Sequence, residues 1–387
     1  MSAPDGAVLV TGATGLVGAQ VMARYLELTD RHVFALVRAD DAGAAERRLR
    51  ATIASVYGDE HAHHDRVTAV PGDIERPQLG LSASLAAELA GAVTDVVHAA
   101  ASVAFSLPLA RAREINVTGT ERVLELAARC TGLRSVSYVS TTYVAGAYDG
   151  HFAESDLDVG QAFRNSYERS KFEAELLVRE WAARLPIRVF RPGIIVGESV
   201  SGWTPSFNVL YYPIRLFAKG VNPPIVPARP DTPIDAVPID FVADAIFALA
   251  GESPGSAPVV HLVAGRDAGT IGELLTSSAR HFGRRPPLLI PLRLYMLTLN
   301  PILSRIYRGA RKRQIDRGAE FLPYFSMRQT FDDSASRELL TPTGLAAPAI
   351  GGYFERLLDY AVRSEWGRRP LSRDAARALH AQAVAVR

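Results

Sequence analysis

Tyr167 and Lys171 stand four residues apart in the run NSYERSK at positions 165–171. On a helix this spacing places both side chains on one face. A free tyrosine has a pKa of about 10, and a nearby ammonium together with an oxidised nicotinamide would lower it. The pair predicts acid catalysis in which Tyr167 protonates a carbonyl oxygen as hydride arrives, while Lys171 binds the nicotinamide ribose. Since the chain has only three lysines, chance pairing is a weaker explanation.

Two more polar residues are candidates for the same chemistry. Thr141 lies in the run YVSTTY at positions 138–143, where a hydroxyl at a strand tip would donate to the same carbonyl oxygen. Ser140 is the neighbour that would replace it, and a threonine without a role is the alternative. Asn116 lies within an otherwise apolar helical stretch. It would either hold a proton-relay water or serve the structure alone.

The run VTGATGLVG at positions 10–18 follows an apolar strand and opens a helix, which is the context that a dinucleotide site requires. Gly12 permits a tight turn, Gly15 lets a pyrophosphate approach the backbone, and Gly18 lets the helix pack on the sheet. The helix N-terminus adds free N–H groups and partial positive charge. The segment therefore predicts a nucleotide cofactor.

The residue after the second strand indicates which nucleotide is bound. An acidic residue there would bind the ribose hydroxyl of NAD, whereas Arg38 suits the 2′-phosphate of NADP. The cofactor predicted is NADPH, although Asp40 and Asp41 follow closely and an ordinary surface arginine is the alternative. After the third strand, Asp73 would bond the adenine amino group or cap its own loop.

Strand-like and helix-like runs alternate over the first 200 residues. The predicted strands are Ala7–Val10, His32–Val37, Val67–Val70, Asp95–His98, Ser135–Ser140, Ile187–Phe190 and Val259–Val263. The predicted helices are Gly15–Leu28, Pro108–Arg129, Ser166–Leu185 and Phe241–Ala250. The alternation predicts an α/β fold, a Rossmann-type doubly wound parallel sheet with helices on both faces.

The pattern changes after about Phe190, and proline becomes dense between Trp203 and Pro238. We predict a Rossmann core over residues 1–200, to which residues 236–265 return. Residues 201–235 and 266–387 are predicted to form a smaller, mostly helical substrate lobe. It would close over the carboxyl edge of the sheet, where ligands bind in open α/β folds.

Composition argues against several classes of protein. With 48% hydrophobic and 22% charged residues the chain can bury a large core. A net charge of +2 does not indicate a surface that binds nucleic acid. Cys130 is the only cysteine, so an intrachain disulfide is excluded and a reducing compartment is favoured. The N-terminus does not resemble a signal peptide. The apolar segment 288–303 is interrupted by Arg293 and Pro301 and is shorter than the ~20 residues of a membrane span.

A soluble, cytoplasmic protein is therefore expected. The run HAHHD at positions 61–65 is interpreted as a solvated loop, and no metal site is predicted. The sequence leaves the oligomeric state open.

Together the motifs resemble the extended branch of the short-chain dehydrogenase/reductase superfamily over roughly residues 5–265. They occur in the right order: TGATGLVG, GDI, VHAAA, NVTGT, YVSTTYV, YERSK and FRPGIIVG. The resemblance implies that Ala99–Ala101 run beside the cofactor and that Arg191-Pro192-Gly193 lie against its nicotinamide end. The full predicted cofactor-binding set is Gly12, Thr14, Gly15, Leu16, Val17, Arg38, Asp73, Ile74, Ala99, Ala100, Ala101, Tyr167, Lys171, Pro192, Gly193 and Ile194.

Within that branch, GDIERPQLGLS and VHAAASVAFSLP resemble fatty acyl-CoA reductases and thioester reductase domains, and the run from Tyr324 to Asp333 is similar to their C-terminal lobe. The resemblance implies reduction of an acyl thioester to an aldehyde or alcohol. The acyl group would arrive on CoA or on a carrier protein in trans. Other hydrophobic carbonyls or alcohols, of steroid, flavonoid or terpenoid type, are the first alternative. A sugar-nucleotide epimerase or dehydratase is less favoured, and a non-catalytic NADP-binding protein is the least.

The segment Leu288–Arg317 is apolar in its first half and basic in its second. A lid helix with a solvated basic face is the favoured interpretation. An acyl tunnel whose basic rim attracts a carrier protein or CoA is one alternative. Peripheral contact with anionic lipid is another, less favoured one.

Overall fold

The computed structural model describes residues 6–207, 210–221, 225–251, 258–306 and 322–385. Its strands are β1 Ala7–Thr11, β2 Val33–Val37, β3 Val67–Pro71, β4 Val93–His98, β5 Ser135–Val139, β6 His151–Phe152, β7 Ile187–Pro192, β8 Ile194–Val196, β9 Ile225–Pro227, β10 Pro233–Ile234, β11 Ala236–Pro238, β12 Val259–Leu262, β13 Gly269–Thr270, β14 Leu288–Ile290 and β15 Thr330–Phe331.

The helices are α1 Leu16–Leu28, α2 Ala42–Tyr57, α3 Ala83–Ala92, α4 Leu109–Arg113, α5 Gly119–Ala127, α6 Ser166–Trp181, α7 Tyr211–Ala218, α8 Ile239–Leu249, α9 Ile271–Phe282, α10 Leu292–Ile306, α11 Ser334–Leu340, α12 Phe354–Arg363 and α13 Arg373–Ala385. A π turn, Glu114–Thr118, joins α4 to α5. The single helix predicted over Pro108–Arg129 is thus two helices with a π turn between them.

Seven strands form one parallel sheet in the order β12-β7-β5-β4-β1-β2-β3. Side chains of a strand alternate between its two faces. Val8 and Val10 of β1 accordingly face a core shared with α1, α2 and α8, whereas Leu9 faces a core shared with α3, α5 and α6. Burial on both faces explains why these strands read as continuous apolar runs. The predicted fold class is confirmed.

The residues after β7 build a further core of their own. Tyr211 of α7, Leu274 of α9 and Phe354 of α12 meet there. Two short parallel pairs lie outside the seven-stranded sheet: β8 pairs with β11, and β15 pairs with β6. The predicted division of the chain into two lobes stays a prediction.

The last described helix, α13, lies against α1 and α2. Arg373 of α13 is 1% exposed, pairs with Glu27 of α1, and stacks over the ring of Tyr57 of α2 at 5.4 Å. The end of the described chain therefore covers α2, and Ala376 on the same helix also packs with Trp203 and with Tyr360 of α12.

The segment Leu288–Arg317 begins as β14 and α10. Arg308, Arg311, Lys312, Arg313 and Arg317 lie outside the described residues, as does the side chain of Arg305. Within the described ranges, no helix has the length and apolarity needed to cross a membrane. The same ranges contain no group of three or more His, Cys, Asp or Glu residues placed to hold a metal ion.

Candidate active site

Helix α6 carries Tyr167 and Lys171 on one face. Asn165 is the N-cap of this helix, and its Oδ1 accepts the N–H of Glu168 at 2.9 Å, which is how asparagine begins helices. Tyr167 therefore stands in the first turn, and Lys171 one turn further. The helix leads from β5 to β7, two neighbouring strands of the sheet.

The phenol of Tyr167 is half-buried and stacks on Phe105 with ring centroids 5.7 Å apart. Burial is the main reason that the pKa of Tyr167 is raised to about 12; the nearby Thr141 hydroxyl acts to lower this pKa, and the charge of Glu168 acts to raise it. Tyr167 is therefore protonated at neutral pH and can donate a proton.

The ammonium of Lys171 is bound by β5. Its Nζ donates to the Tyr138 hydroxyl at 2.8 Å and to the Val139 carbonyl at 2.9 Å. Lys171 is only 3% exposed, and burial lowers its pKa to about 7, against the attraction of Glu175. The sequence argument expected this ammonium to lower the pKa of Tyr167. In the structure burial dominates that pKa, and the described hydrogen bonds of the ammonium go to β5.

Thr141 and Ser140 point to opposite sides of the strand end, because side chains alternate along an extended chain. Thr141 is buried and accepts the Tyr143 N–H at 3.2 Å, and its hydroxyl lies near enough to Tyr167 to lower the pKa of that phenol. Ser140 instead donates to Glu175 at 2.6 Å. Of the two predicted hydroxyls, Thr141 is the one beside Tyr167.

Asn116 lies in the π turn, a distortion that often marks functional sites. Its Oδ1 accepts the Ser102 N–H at 2.8 Å, and its Nδ2 donates to the Ser102 carbonyl at 3.1 Å and to Ser170 Oγ at 2.9 Å. The side chain thus ties the loop after β4 to α6. These contacts favour the structural alternative for this side chain.

A buried histidine lies beneath the site. Thr120 donates to the Asn116 carbonyl at 2.6 Å, so its oxygen accepts from His98 Nε2 at 3.0 Å. His98 Nδ1 then accepts from Thr11 Oγ1 at 2.7 Å. Burial, and next the charge of Lys171, lowers the pKa of His98 to about 3. This neutral imidazole joins the carboxyl ends of β1 and β4 to α5.

The side chain of Arg191 lies in the core at the end of β7. Its side chain is fully buried and donates to Glu175 of α6 at 2.6 Å. It also donates to Nε2 of His261, whose Nδ1 bonds the Asp332 carbonyl at 2.6 Å. Arg191 thus holds α6 against the sheet, and its proximity to the nicotinamide end stays a prediction. Pro192, Gly193 and Ile194 follow it at the carboxyl end of β7.

The predicted cofactor loop has the geometry of a phosphate cradle. Gly12 has φ +69°, and a Cβ there would lie 2.7 Å from the backbone of Ala99 and Ala100. A Cβ on Gly18 would lie 2.3 Å from the Gly12 carbonyl. Gly15 caps α1 without any side-chain hydrogen bond, and Thr14, Leu16 and Val17 flank it half-buried. The first-turn N–H groups therefore suit a pyrophosphate.

The opposite end of the predicted cofactor site is a pocket of about 190 Å³ between the ends of β2 and β3, lined in part by Asp40, Asp73 and Arg76. Asp73 caps its own loop by accepting the Glu75 N–H at 3.0 Å, and Ile74 beside it is buried. Arg38 is exposed and lies 3.4 Å from Glu75. Arg76, also exposed, lies 3.6 Å from Asp40.

Apart from Tyr167 and Lys171 on α6, the predicted cofactor residues stand at or just beyond the carboxyl ends of parallel strands, which places them along one edge of the sheet. Lys171 reaches the same edge through its bond to the Val139 carbonyl. A sequence profile of the NAD-binding family described as male sterility protein matches residues 10–246. The chain belongs to this family. Its place among extended short-chain dehydrogenases/reductases is thereby confirmed.

Curated relatives of this family member are larger proteins, and this chain matches one segment of each. Isonitrile lipopeptide synthase of Streptomyces coeruleorubidus is 36% identical over 257 residues, which are 65% of this chain and 17% of the synthase. Glycine betaine reductase of Emericella nidulans is 33% identical over 266 residues, 66% of this chain and 21% of the reductase. The chain thus spans about a fifth of the length of these curated relatives.

Solved structures share the fold. The terminal R domain of the myxalamid PKS-NRPS pathway superposes with a TM-score of 0.81 at 24% identity, covering 95% of this chain and 93% of that one. A thiolation-reductase di-domain of an archaeal non-ribosomal peptide synthetase gives 0.72 at 20% identity, covering 94% and 77%. At these identities the likeness concerns the fold.

Sequence reasoning missed four residues near the site in this family member. Phe105 packs on Tyr167, Tyr324 contacts the first turn of α6, Glu168 lies buried beside Tyr167, and Arg76 lines the pocket beyond β3. Only Glu168 had a sequence signal, because Asn165 and Glu168 have the spacing of a helix-capping pair.

Proposed function

We propose that the protein is an NADPH-dependent reductase of acyl thioesters, held on CoA or on a carrier protein supplied in trans, with an aldehyde or alcohol as product. The observation that carries the proposal is the hydroxyl pair of Thr141 and Tyr167 at the carboxyl edge of the sheet, on the same edge as the glycine-rich cradle. The relative named as a reductase supports the same class of reaction.

In this proposal Gly12, Gly15 and the start of α1 hold the pyrophosphate, and Lys171 binds the nicotinamide ribose. A bound reduced nicotinamide supplies the hydride. Thr141 and Tyr167 donate to the carbonyl oxygen as it gains negative charge, which is the largest stabilising effect available to such a site. Tyr167 then transfers its proton to that oxygen.

The product of this step is a hemithioacetal, whose C–S bond breaks to release an aldehyde and a free thiol. A second hydride and proton would convert the aldehyde to the alcohol. The route needs no covalent bond to the enzyme. Cys130 is consistent with that, because it is buried and burial raises the pKa of its thiol to about 11.

The preference for NADPH over NADH is part of the proposal. Arg38 follows β2 and Arg76 lines the neighbouring pocket, so two guanidinium groups are available for a 2′-phosphate. Arg38 lies beside Glu75, and Arg76 lies beside Asp40. Each ion pair would have to open before its arginine could bind the phosphate. Arg38→Ala and Arg76→Ala should each weaken NADPH more than NADH in a fluorescence titration. Equal weakening of both cofactors would contradict this assignment.

The carrier is proposed from the relatives. One is a lipopeptide synthase, and one structural neighbour is a thiolation-reductase di-domain. The second name joins a thiolation domain to a reductase domain in one protein, which supports a carrier-bound acyl thioester as the substrate. The assay below distinguishes a carrier-bound thioester from the same acyl group on CoA.

The test is NADPH oxidation by the purified protein with acyl-CoAs, a carrier-bound acyl thioester and the matching free aldehydes. Thioester-dependent oxidation that Tyr167→Phe abolishes would support the proposal, and product analysis would show whether reduction stops at the aldehyde. Turnover of aldehydes or ketones alone would favour the second candidate, a reductase of other hydrophobic carbonyls. The aromatic contacts of Tyr167 suit that candidate as well. Cofactor binding without any reduction would overturn both.

A further inference from the structure

A tyrosine from the C-terminal part of the chain reaches the first turn of α6. The hydroxyl of Tyr324 donates to Glu168 Oε1 at 2.5 Å, and Asn165 Nδ2 donates to that hydroxyl at 2.7 Å. Tyr324 is 9% exposed, so the contact is shielded from water. The three residues form a buried hydrogen-bonded group beside Tyr167.

The two partners of Tyr324 are the residues that begin α6. Asn165 accepts the Glu168 N–H at 2.9 Å, and Glu168 accepts the N–H of Arg164 at 2.8 Å. Tyr167 lies between them in the same turn. A hydroxyl that binds both capping side chains therefore restrains the backbone that carries Tyr167.

Ring contacts add a second restraint. Tyr324 stacks on Phe105 at 5.7 Å and 25°, and Phe105 stacks on Tyr167 at 5.7 Å and 28°. Tyr143 packs edge-on against Tyr324 at 5.4 Å. Phe105 is thus held between Tyr324 and Tyr167, which limits how far the Tyr167 ring can swing.

The turn that carries Tyr324 is itself fixed within the C-terminal part. The carbonyl of Phe325 accepts the Arg229 N–H at 3.1 Å and the Thr232 hydroxyl at 3.0 Å. Arg229 and Thr232 lie between β9 and β10. A displacement of this loop would be transmitted through Tyr324 to α6.

We infer that Tyr324 is a positioning residue, which couples the C-terminal part of the chain to the proton donor Tyr167; the inference rests on the proposed reductase function. Glu168 is fully buried, and the donors to its carboxylate are Arg164 and Tyr324 among the described contacts. A buried carboxylate that loses a donor is destabilised, because its desolvation is no longer offset. We therefore expect loss of the Tyr324 hydroxyl to displace the turn that aims Tyr167.

The test compares Tyr324→Phe with Tyr353→Phe. Tyr353 is the matched control, because it is buried in the same part of the chain and its hydroxyl donates to the Ala236 carbonyl at 3.1 Å, away from α6. Tyr324→Phe should lower kcat about tenfold or more for thioester and aldehyde alike, since small misplacements of a reacting group are costly. KM and the Kd of NADPH should change little. Equal kinetics in the two variants would overturn the inference.

A double-variant cycle and hydrogen exchange make the test specific. If Tyr324 acts through Glu168, adding Glu168→Gln to Tyr324→Phe should lower kcat little further, whereas independent roles would give additive losses. Amide exchange in residues 164–168 and 322–326 should rise together in Tyr324→Phe and not in Tyr353→Phe. This readout needs no turnover: an inactive wild type would refute the proposed function, and unchanged exchange would refute the coupling.

Discussion

Replacing Lys171 by methionine should change how stability depends on pH. The pKa of this lysine falls from 10.5 to about 7 because the ammonium is buried. The unfolded chain therefore holds a proton that the folded protein releases between these two pH values. Stability rises with pH where the unfolded state binds more protons, so the cost of burying the ammonium is full below pH 7 and disappears above 10.5.

The magnitude follows from the same two values. The lowering of the pKa corresponds to about 5 kcal/mol in favour of the neutral amine. Between pH 7 and pH 9, proton linkage predicts that wild-type stability gains about 2 kcal/mol relative to Lys171→Met. The measurement is the free energy of unfolding in urea, followed by tryptophan fluorescence at both pH values. Lys219→Met removes an exposed lysine and serves as the baseline.

A difference between wild type and Lys171→Met that stays constant from pH 7 to pH 9 would refute the reasoning. It would mean that the ammonium is not desolvated in the folded protein. The expected result also separates stability from activity. Lys171→Met should fold but lose reductase activity, because the ribose of the cofactor would lose its proposed cationic donor.

Three further outcomes are expected. Gly12→Ala should lower both the melting temperature and the affinity for NADPH, because its Cβ would meet the backbone beyond β4; Gly91→Ala, which meets nothing within 4 Å, should do neither. Arg191→Met should cost about 3–5 kcal/mol in chemical denaturation, since it removes the nearer of the two cations, Arg191 and Arg179, from the buried carboxylate of Glu175; a cost below 1 kcal/mol would contradict the buried pair. Glu168→Gln should shift the alkaline loss of activity to lower pH, because Tyr167 must be protonated to donate and the charge of Glu168 raises its pKa; an unmoved pH profile would count against Tyr167 as the acid.

The sheet could be predicted because its signals are local. Each parallel strand is a continuous apolar run, and Gly12 and Gly18 mark positions where a side chain would strike the backbone. The sequence could also predict that only one of Ser140 and Thr141 faces the site, since neighbouring residues of an extended chain face opposite ways. The site residues themselves stay predictions until a substrate is tested.

The remaining features depend on contacts between distant parts of the chain. The π turn at Asn116 forms where its side chain contacts Ser102 and Ser170. The helical periodicity of the sequence does not indicate these contacts. Tyr324 is 156 residues from Glu168. Arg191 was assigned to the cofactor by resemblance, yet its charge is satisfied within the core by Glu175.

The position of α13 has a consequence for how the protein is made on the ribosome. Strands β1 to β7 are synthesised before β12. Until β12 emerges, β7 is an unpaired edge of the sheet, and an unpaired edge can pair with the wrong strand. Arg373 then has to enter between Glu27 and Tyr57, after more than three hundred residues have already left the ribosome. Helix α2 is therefore covered only after α13 has been made, and a chain without α13 would expose the surface of α2.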